Sequence, residues 1–121
     1  MVFYEQTYLG DLLKYEEENL YSRDAITVAA GQNLKLGAVL GMLGGKAVAL
    51  DPAATDGSEI AVGLLIRDTD ATTHEVEAVM VSRNATVSDL YVVWPAAITI
   101  PQMNTAIAQL QQLGVVIRKG A

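Results

Sequence analysis

The chain has 121 residues, no cysteine and a formal net charge of −6 at pH 7. This length holds one domain with a modest core, and a composition that is 51% hydrophobic and 18% charged excludes wholesale disorder. The acidic balance argues against binding to nucleic acid or to an anionic membrane surface. The absence of cysteine excludes disulfides and thiolate zinc sites.

Residues 1–22 differ from the rest of the chain. They hold four of the five tyrosines, several leucines, and five acidic residues against one lysine. Two interpretations stay open: a frayed acidic terminus, or an N-terminal extended arm that becomes ordered on a partner and buries its apolar side chains there. The candidate contact residues of this arm are Tyr4, Tyr8, Leu9, Leu12, Leu13, Tyr15, Leu20 and Tyr21.

Membrane and export signals are not expected. The first residues show neither a basic region nor a long apolar run, so they do not resemble a signal peptide. The longest apolar run, residues 90–98, is far shorter than the roughly 20 residues that cross a bilayer. We therefore expect a soluble protein, and the absence of cysteine fits one that is made in a reducing cytosol.

Short strands are predicted from residue 25 onward. Residues 25–30 are rich in β-branched side chains, and a turn is expected at 31–33. Seven of the ten glycines lie in residues 31–66, between short apolar runs of strand length. Gly44-Gly45 predicts a tight hairpin, because both central residues of a primed turn need a positive φ. The last of these runs, residues 60–62, predicts a strand that continues to Arg67.

The next segments alternate between loop and strand. Residues 68–73 are polar and predict a loop, whereas residues 74–83 alternate apolar and polar side chains as a half-buried strand does. A further turn is expected at 84–86. The region is typical of a β-rich domain with short connections.

The C-terminal part carries no charge from Leu90 to Ile117. Within it, residues 101–113 predict a helix, with a capping box at Thr99 and Gln102 and a terminating glycine at 114. The polar face of this helix is uncharged, so we expect it to pack against protein, and residues 115–117 predict a final strand. Because charge is depleted in interface cores and tryptophan is a common anchor, this segment supplies the candidate subunit interface. Its candidate residues are Trp94, Pro95, Gln109 and Gln112.

Nothing in the sequence predicts catalysis. His74 is the only histidine, which excludes a histidine triad or a histidine pair on a metal within one chain. Asp51 precedes proline and Asp56 precedes glycine, as is typical of turns. The glycine-rich residues 41–47 lack both the spacing and the hydroxyl of a phosphate-binding loop. We expect no enzymatic activity, no metal and no cofactor.

Three ordered segments carry a resemblance. They are GQNLKLGAVLG at 31–41, DPAATDGSEIAVGLL at 51–65 and DLYVVWP at 89–95. Together with the terminal helix and strand, over about residues 23–117, they are similar to the lambda-type bacteriophage head decoration proteins. The resemblance implies a β-clip-like bent ribbon core, mainly β, with one C-terminal helix.

The resemblance also implies a function. Members of this family are homotrimers that sit on the outer surface of the expanded head and stabilise it against internal DNA pressure. Their N-terminal segment contacts the major capsid protein, so residues 1–22 become a capsid-binding arm and residues 23–121 the decoration domain. The protein would be made in the bacterial host cytoplasm and reside in the virion.

One alternative comes from a different class of protein. A lysine beside a hairpin tip, Gly45-Lys46-Ala47, resembles the lipoyl or biotinyl carrier domains, in which Lys46 would bear the cofactor. Carrier domains place an acidic residue or methionine before the lysine, where this chain has Gly45. They also give no reason for an uncharged C-terminal helix.

Overall fold

A computed structural model describes residues 12–16 and 22–119 of the chain. These residues form one α-helix, one single-turn 3-10 helix (Asp89–Tyr91) and ten short strands, so the predicted mainly β fold with one C-terminal helix is confirmed. The strands are β1 Leu13–Glu16, β2 Arg23–Val28, β3 Gln32–Leu34, β4 Val39–Leu43, β5 Lys46–Ala49, β6 Gly63–Leu65, β7 Thr69–Ala71, β8 Val76–Val81, β9 Ala85–Ser88 and β10 Val115–Arg118, and the helix is α1 Ile100–Gln112.

Five strands close into a small barrel in the order β2-β5-β4-β6-β8. The longest pairing joins β2 and β8 antiparallel over six residues each, and a short parallel contact between Val28 and Ala47 joins β2 to β5. Closure protects strand edges that would otherwise pair with other chains. The β-clip-like bent ribbon core that the resemblance implies stays a prediction. One hydrophobic cluster is formed by residues of these strands together with β3, β7 and the residue before β4, and it comprises Val28, Leu34, Ala38, Leu40, Ala47, Leu65, Ala71, Ala78 and Met80.

A second sheet has the order β1-β9-β10. β9 and β10 are parallel, with Val115 opposite Ala85, and α1 provides the crossover that a parallel pair requires. The helix covers this sheet through Ala106 and Leu110, which are buried. The main hydrophobic cluster lies here and comprises Leu12, Leu36, Val39, Leu50, Ala61, Leu64, Ile66, Val81, Ala85, Val87, Val92, Ala106, Leu110 and Val115.

Local signals set the ends of α1 as predicted. The Thr99 side chain accepts a hydrogen bond from the Gln102 amide at 3.3 Å, and the Gln102 side chain accepts one from the Thr99 amide at 2.9 Å. At the other end Gly114 has φ +91°, a conformation that glycine adopts without strain. The Gly44-Gly45 hairpin is confirmed in the same way, with φ values of +60° and +81° between β4 and β5.

The predicted strand at residues 60–62 is wrong. The strand begins only at Gly63, because the backbone amides of Ile60 and Ala61 are engaged elsewhere. The Ile60 amide donates to the Gly57 carbonyl in a turn, and the Ala61 amide donates to a helix side chain.

Two segments expected to be turns or loops form strands instead. β3 (expected turn at 31–33) and β7 (expected loop at 68–73) pair antiparallel, with Gln32 opposite Ala71 and Leu34 opposite Thr69. Leu34, Thr69 and Ala71 are buried, so packing outweighs the polar composition. Likewise only Asn84 turns the chain at 84–86, with φ +48°, and Ala85 already begins β9.

Candidate interaction surfaces

Most of the exposed large apolar side chains that the structure describes lie in the uncharged C-terminal segment. Among the described residues, eight large apolar side chains are exposed, and six of them lie within residues 90–117. Contiguous apolar exposure marks interaction sites more often than scattered exposure does. The six are Leu90, Tyr91, Val93, Ile100, Leu113 and Val116.

Leu90, Tyr91 and Val93, which we call the apolar corner, lie almost consecutively after β9. Leu90 is 69% exposed, Tyr91 37% and Val93 45%, whereas Val92 between them is buried. Ser88 begins this corner by accepting a hydrogen bond from the Leu90 amide at 3.4 Å. Val92 thus anchors the segment in the core while its neighbours face outward.

Backbone contacts hold the apolar corner against the barrel. The Val93 amide donates to the Gly37 carbonyl at 2.9 Å, and the Val39 amide donates to the Val93 carbonyl at 3.2 Å. Gly37 has φ +93°, and a Cβ at this position would overlap the Tyr91 carbonyl oxygen. The position of the corner therefore depends on a glycine just before β4.

The predicted interface residues Trp94 and Pro95 are both partly buried. Trp94 packs against the main cluster of its own chain, together with Ile98 and Ile117. Part of its ring surface is therefore already used within the domain. Contact of Trp94 and Pro95 with a second copy stays a prediction.

Gln109 and Gln112, also predicted at the interface, have different surroundings. The Gln109 Oε1 accepts a hydrogen bond from the Ala61 amide at 2.8 Å, which ties α1 to the loop before β6. Gln112 is exposed and lies beside a shallow groove with Asp24, Arg83 and Leu113. Gln109 thus has an internal role that the sequence did not indicate, and its contact with another copy stays a prediction.

Part of the predicted arm belongs to the domain. Leu12 is 1% exposed and lies in the main cluster, and the partly buried Leu13 packs against the same cluster. β1 pairs antiparallel with β9, so the backbone of Tyr15 is also within the sheet. The Leu12 side chain is thus buried in its own domain, and its contact with a capsid partner stays a prediction. The remaining candidates, Tyr4, Tyr8, Leu9, Leu20 and Tyr21, lie outside the described residues.

The carboxylates of Asp51, Asp56 and Glu59 cap turns. Asp51 accepts from the Ala53 amide at 3.2 Å, and the Glu59 Oε1 accepts from the Gly57 amide at 2.7 Å. Asp56 accepts from both the hydroxyl and the amide of Ser58, which hold its pKa below the usual range. Each group therefore stabilises local backbone.

Two further aspartates have lowered pKa values for similar reasons. The Ser82 hydroxyl donates to Asp24 at 2.6 Å and, with the neighbouring Arg83 guanidinium, lowers the pKa of Asp24 despite partial burial. The hydroxyl and amide of Thr72 lower the pKa of Asp70. Within residues 12–16 and 22–119, no group of three or more His, Cys, Asp or Glu side chains is arranged to hold a metal ion.

Lys46, the residue of the carrier-domain alternative, begins β5 beside the Gly44-Gly45 turn. Its ammonium group forms an ion pair with Glu75 at 2.8 Å, and both side chains are about half exposed. In the part of the chain that the structure describes, no helix combines the length and apolar character needed to cross a membrane.

Comparison with known proteins identifies the family. The family model for bacteriophage lambda head decoration protein D matches residues 2–115, which is most of the chain. A search of curated protein sequences found no significant match. The chain therefore belongs to the bacteriophage lambda head decoration protein D family.

Proposed function

We propose that this protein binds as homotrimers to the outer surface of the expanded phage head and stabilises it against internal DNA pressure. The observation that carries the proposal is the family match over residues 2–115. Membership in this family supports a decoration role on the capsid of the phage virion, and the family is structural rather than catalytic. The trimer, the outer-surface position and the stabilising effect are our proposal.

The apolar corner is our proposed addition to the subunit interface. Interface cores lose charged residues and gain aromatic ones, and the corner presents Tyr91 between Leu90 and Val93 within the uncharged segment. Trp94 and Pro95 follow it directly, and we propose that the exposed part of Trp94 also contacts the neighbouring subunit. A three-fold ring needs two different patches on each subunit, and Gln112 on α1 is a candidate for the second.

The proposed capsid contact is the N-terminal arm. β1 and the buried Leu12 fix the base of this arm to the domain through pairing with β9. The residues that precede Leu12 include Tyr4, Tyr8 and Leu9, and we propose that these contact the major capsid protein. Leu20 and Tyr21, between β1 and β2, are further candidates.

Multivalency provides the mechanism. Three arms on one trimer convert weak single contacts into tight attachment, because the second and third contacts form at high effective concentration. Binding that prefers the mature shell stabilises that shell by mass action. No chemical step is required.

The arm is tested by deleting residues 1–11, which keeps Leu12 and β1 in place. We expect a folded trimer that fails to sediment with heads lacking the decoration protein, whereas the full chain sediments with them. A matched variant that keeps the arm length but replaces Tyr4, Tyr8 and Leu9 with serine should fail in the same way. Heads decorated by either variant as fully as by the full chain would contradict the arm assignment.

The carrier-domain alternative is separated by intact mass. We expect the purified chain to have its unmodified mass of 12.9 kDa. An added lipoyl or biotinyl group on Lys46 would contradict the decoration function.

A further inference from the structure

Asp56-Gly57 is the only position in the chain where aspartate or asparagine precedes glycine. At such pairs the glycine amide nitrogen can attack the side-chain Cγ, because no Cβ hinders its approach. A C–N bond forms, a C–O bond breaks and water leaves, which gives a five-membered succinimide. Hydrolysis returns the water and opens either carbonyl, so the product is aspartate or isoaspartate. We propose that Asp56-Gly57 is a latent site of isoaspartate formation that Ser58 and Glu59 hold unreactive.

The fold needs the vulnerable glycine. Gly57 has φ +108°, and a Cβ at this position would lie 3.3 Å from the Met42 carbonyl oxygen. Any other residue would be strained there. Protection must therefore come from the neighbouring residues and not from replacing Gly57.

The first protective contact acts on the nucleophile. The Gly57 amide donates its hydrogen to the Glu59 Oε1 at 2.7 Å. For ring closure the plane of the Gly57 amide must rotate until the nitrogen faces the Asp56 Cγ, and the nitrogen must lose this proton. The hydrogen bond opposes the turn, because it fixes the plane of the Gly57 amide toward Glu59.

The second protective contact acts on the electrophile. The Asp56 Oδ1 accepts from the Ser58 amide at 3.0 Å and from the Ser58 hydroxyl at 2.6 Å. These bonds direct the carboxylate toward Ser58, which is 4% exposed, and lower the pKa of Asp56. Ring closure proceeds from the protonated acid, since water and not oxide must leave. Both effects slow the reaction.

The modification would have structural consequences. Isoaspartate routes the main chain through the Asp56 Cβ and so adds one carbon before Gly57. The Ser58 carbonyl, one residue after Gly57, accepts from the Asp51 amide at 2.9 Å and lies against Gly41, where a Cβ would overlap it. The added carbon would displace this contact and loosen the loop that precedes β6.

The test measures isoaspartate at residue 56 during incubation at neutral pH. Enzymatic methylation of isoaspartate gives the total, and mass-spectrometric fragmentation gives the position. The variants are Ser58→Ala and Glu59→Ala, with Glu59→Gln as the conservative change that keeps an acceptor oxygen. Thr72→Ala is the matched control, because the Thr72 hydroxyl contacts Asp70 in the same way but alanine follows Asp70.

Two comparisons decide the outcome. In the folded chain Asp56-Gly57 can react only when its loop opens. We therefore expect the folded chain to form isoaspartate about tenfold more slowly than the same chain in urea. In the folded state we also expect Ser58→Ala and Glu59→Ala to form isoaspartate several-fold faster than the unaltered chain. The rate of Glu59→Gln should lie between those of Glu59→Ala and the unaltered chain, and the rate of Thr72→Ala should equal that of the unaltered chain. Equal rates in the folded and unfolded chain would overturn the proposal even if a variant failed to fold. A slower reaction in Glu59→Ala would show that Glu59 acts as a base and would also overturn it.

Discussion

Gly37 and Tyr91 meet backbone to backbone, with no room for a side chain between them. Gly37 has φ +93°, and a Cβ on it would overlap the Tyr91 carbonyl oxygen. The Val93 amide donates to the Gly37 carbonyl at 2.9 Å on the same side. One glycine just before β4 therefore sets the position of the apolar corner, which we place at the subunit interface.

Gly37→Ala should destabilise the fold more than Gly31→Ala. Both glycines have nearly the same φ (+93° and +92°), but space is open around Gly31. The strained backbone alone costs roughly 1–2 kcal/mol in each variant. Overlap with Tyr91 adds to this in Gly37→Ala, for a total on the order of 3 kcal/mol. Urea denaturation measures both free energies of unfolding, and equal losses would show that the contact is not tight.

Gln109→Ala should lower stability by about 1 kcal/mol, because it leaves the Ala61 amide without its acceptor. Gln112→Ala is the control, since Gln112 is exposed on the same helix and should change stability by less than about 0.5 kcal/mol. Thermal unfolding of the two variants makes the comparison. If Gln112→Ala cost as much as Gln109→Ala, the contact with Ala61 would not be what stabilises the loop.

The stability of the domain should fall in acid partly through Asp24. The Ser82 hydroxyl and Arg83 lower the pKa of Asp24 in the folded protein, so its ionised form favours folding. This contribution is fully present above the pKa of an unfolded aspartate, about 3.9, and is lost as the pH falls through the lower folded value. Asp24→Asn should therefore flatten the fall in free energy of unfolding below about pH 4.

Urea titrations across this pH range measure the Asp24 effect. Asp51→Asn is the control for the change in net charge, since the Asp51 carboxylate accepts only from the Ala53 amide among the contacts described. If the free energy of unfolding of Asp24→Asn fell in acid as steeply as that of the unaltered chain, the bonds from Ser82 and Arg83 would not lower the pKa of Asp24 in the folded state relative to the unfolded state.

Leu90→Ser should weaken the trimer and leave the fold intact. Leu90 is 69% exposed, so its replacement removes apolar surface that we assign to the subunit contact. Leu43→Ser is the matched control, because Leu43 is also exposed but lies at the end of β4, outside the uncharged segment. Sedimentation velocity over a concentration series measures trimer dissociation. Identical behaviour of the two variants would remove the apolar corner from the interface.

Trp94→Ala should weaken the trimer and also lower the stability of the monomer. The double effect is expected because Trp94 packs against its own main cluster and is only partly buried there. Large-to-small changes at fully buried aromatic positions cost about 3–5 kcal/mol, and partial burial should reduce that loss. Sedimentation and urea denaturation report the two effects separately. A destabilised monomer with unchanged trimer affinity would confine Trp94 to the domain core.

Local signals in the sequence were enough to predict several elements. Thr99, Gln102 and Gly114 specify the ends of α1 through contacts within a few residues. The Gly44-Gly45 hairpin depends on two adjacent conformations and is equally local. Such features require no knowledge of distant partners.

Three strands that depend on distant pairing, β3, β7 and β9, were missed. β3 and β7 are three residues each, lie far apart in the chain and are partly polar, so neither has a strand pattern of its own. β9 acquires its parallel partner β10 only after α1 has crossed the sheet. Two features of the candidate surfaces were missed for the same reason. The Gln109 contact joins residues 48 positions apart, and the exposure of the apolar corner depends on the burial of Val92.

The most direct test of the account is cryo-electron microscopy of expanded heads that lack their decoration protein, after incubation with the full chain. We predict density on the outer surface at three-fold positions, with three copies of this domain in each and the arms in contact with the shell. Heads that remain bare, or that carry single copies away from the three-fold positions, would contradict it.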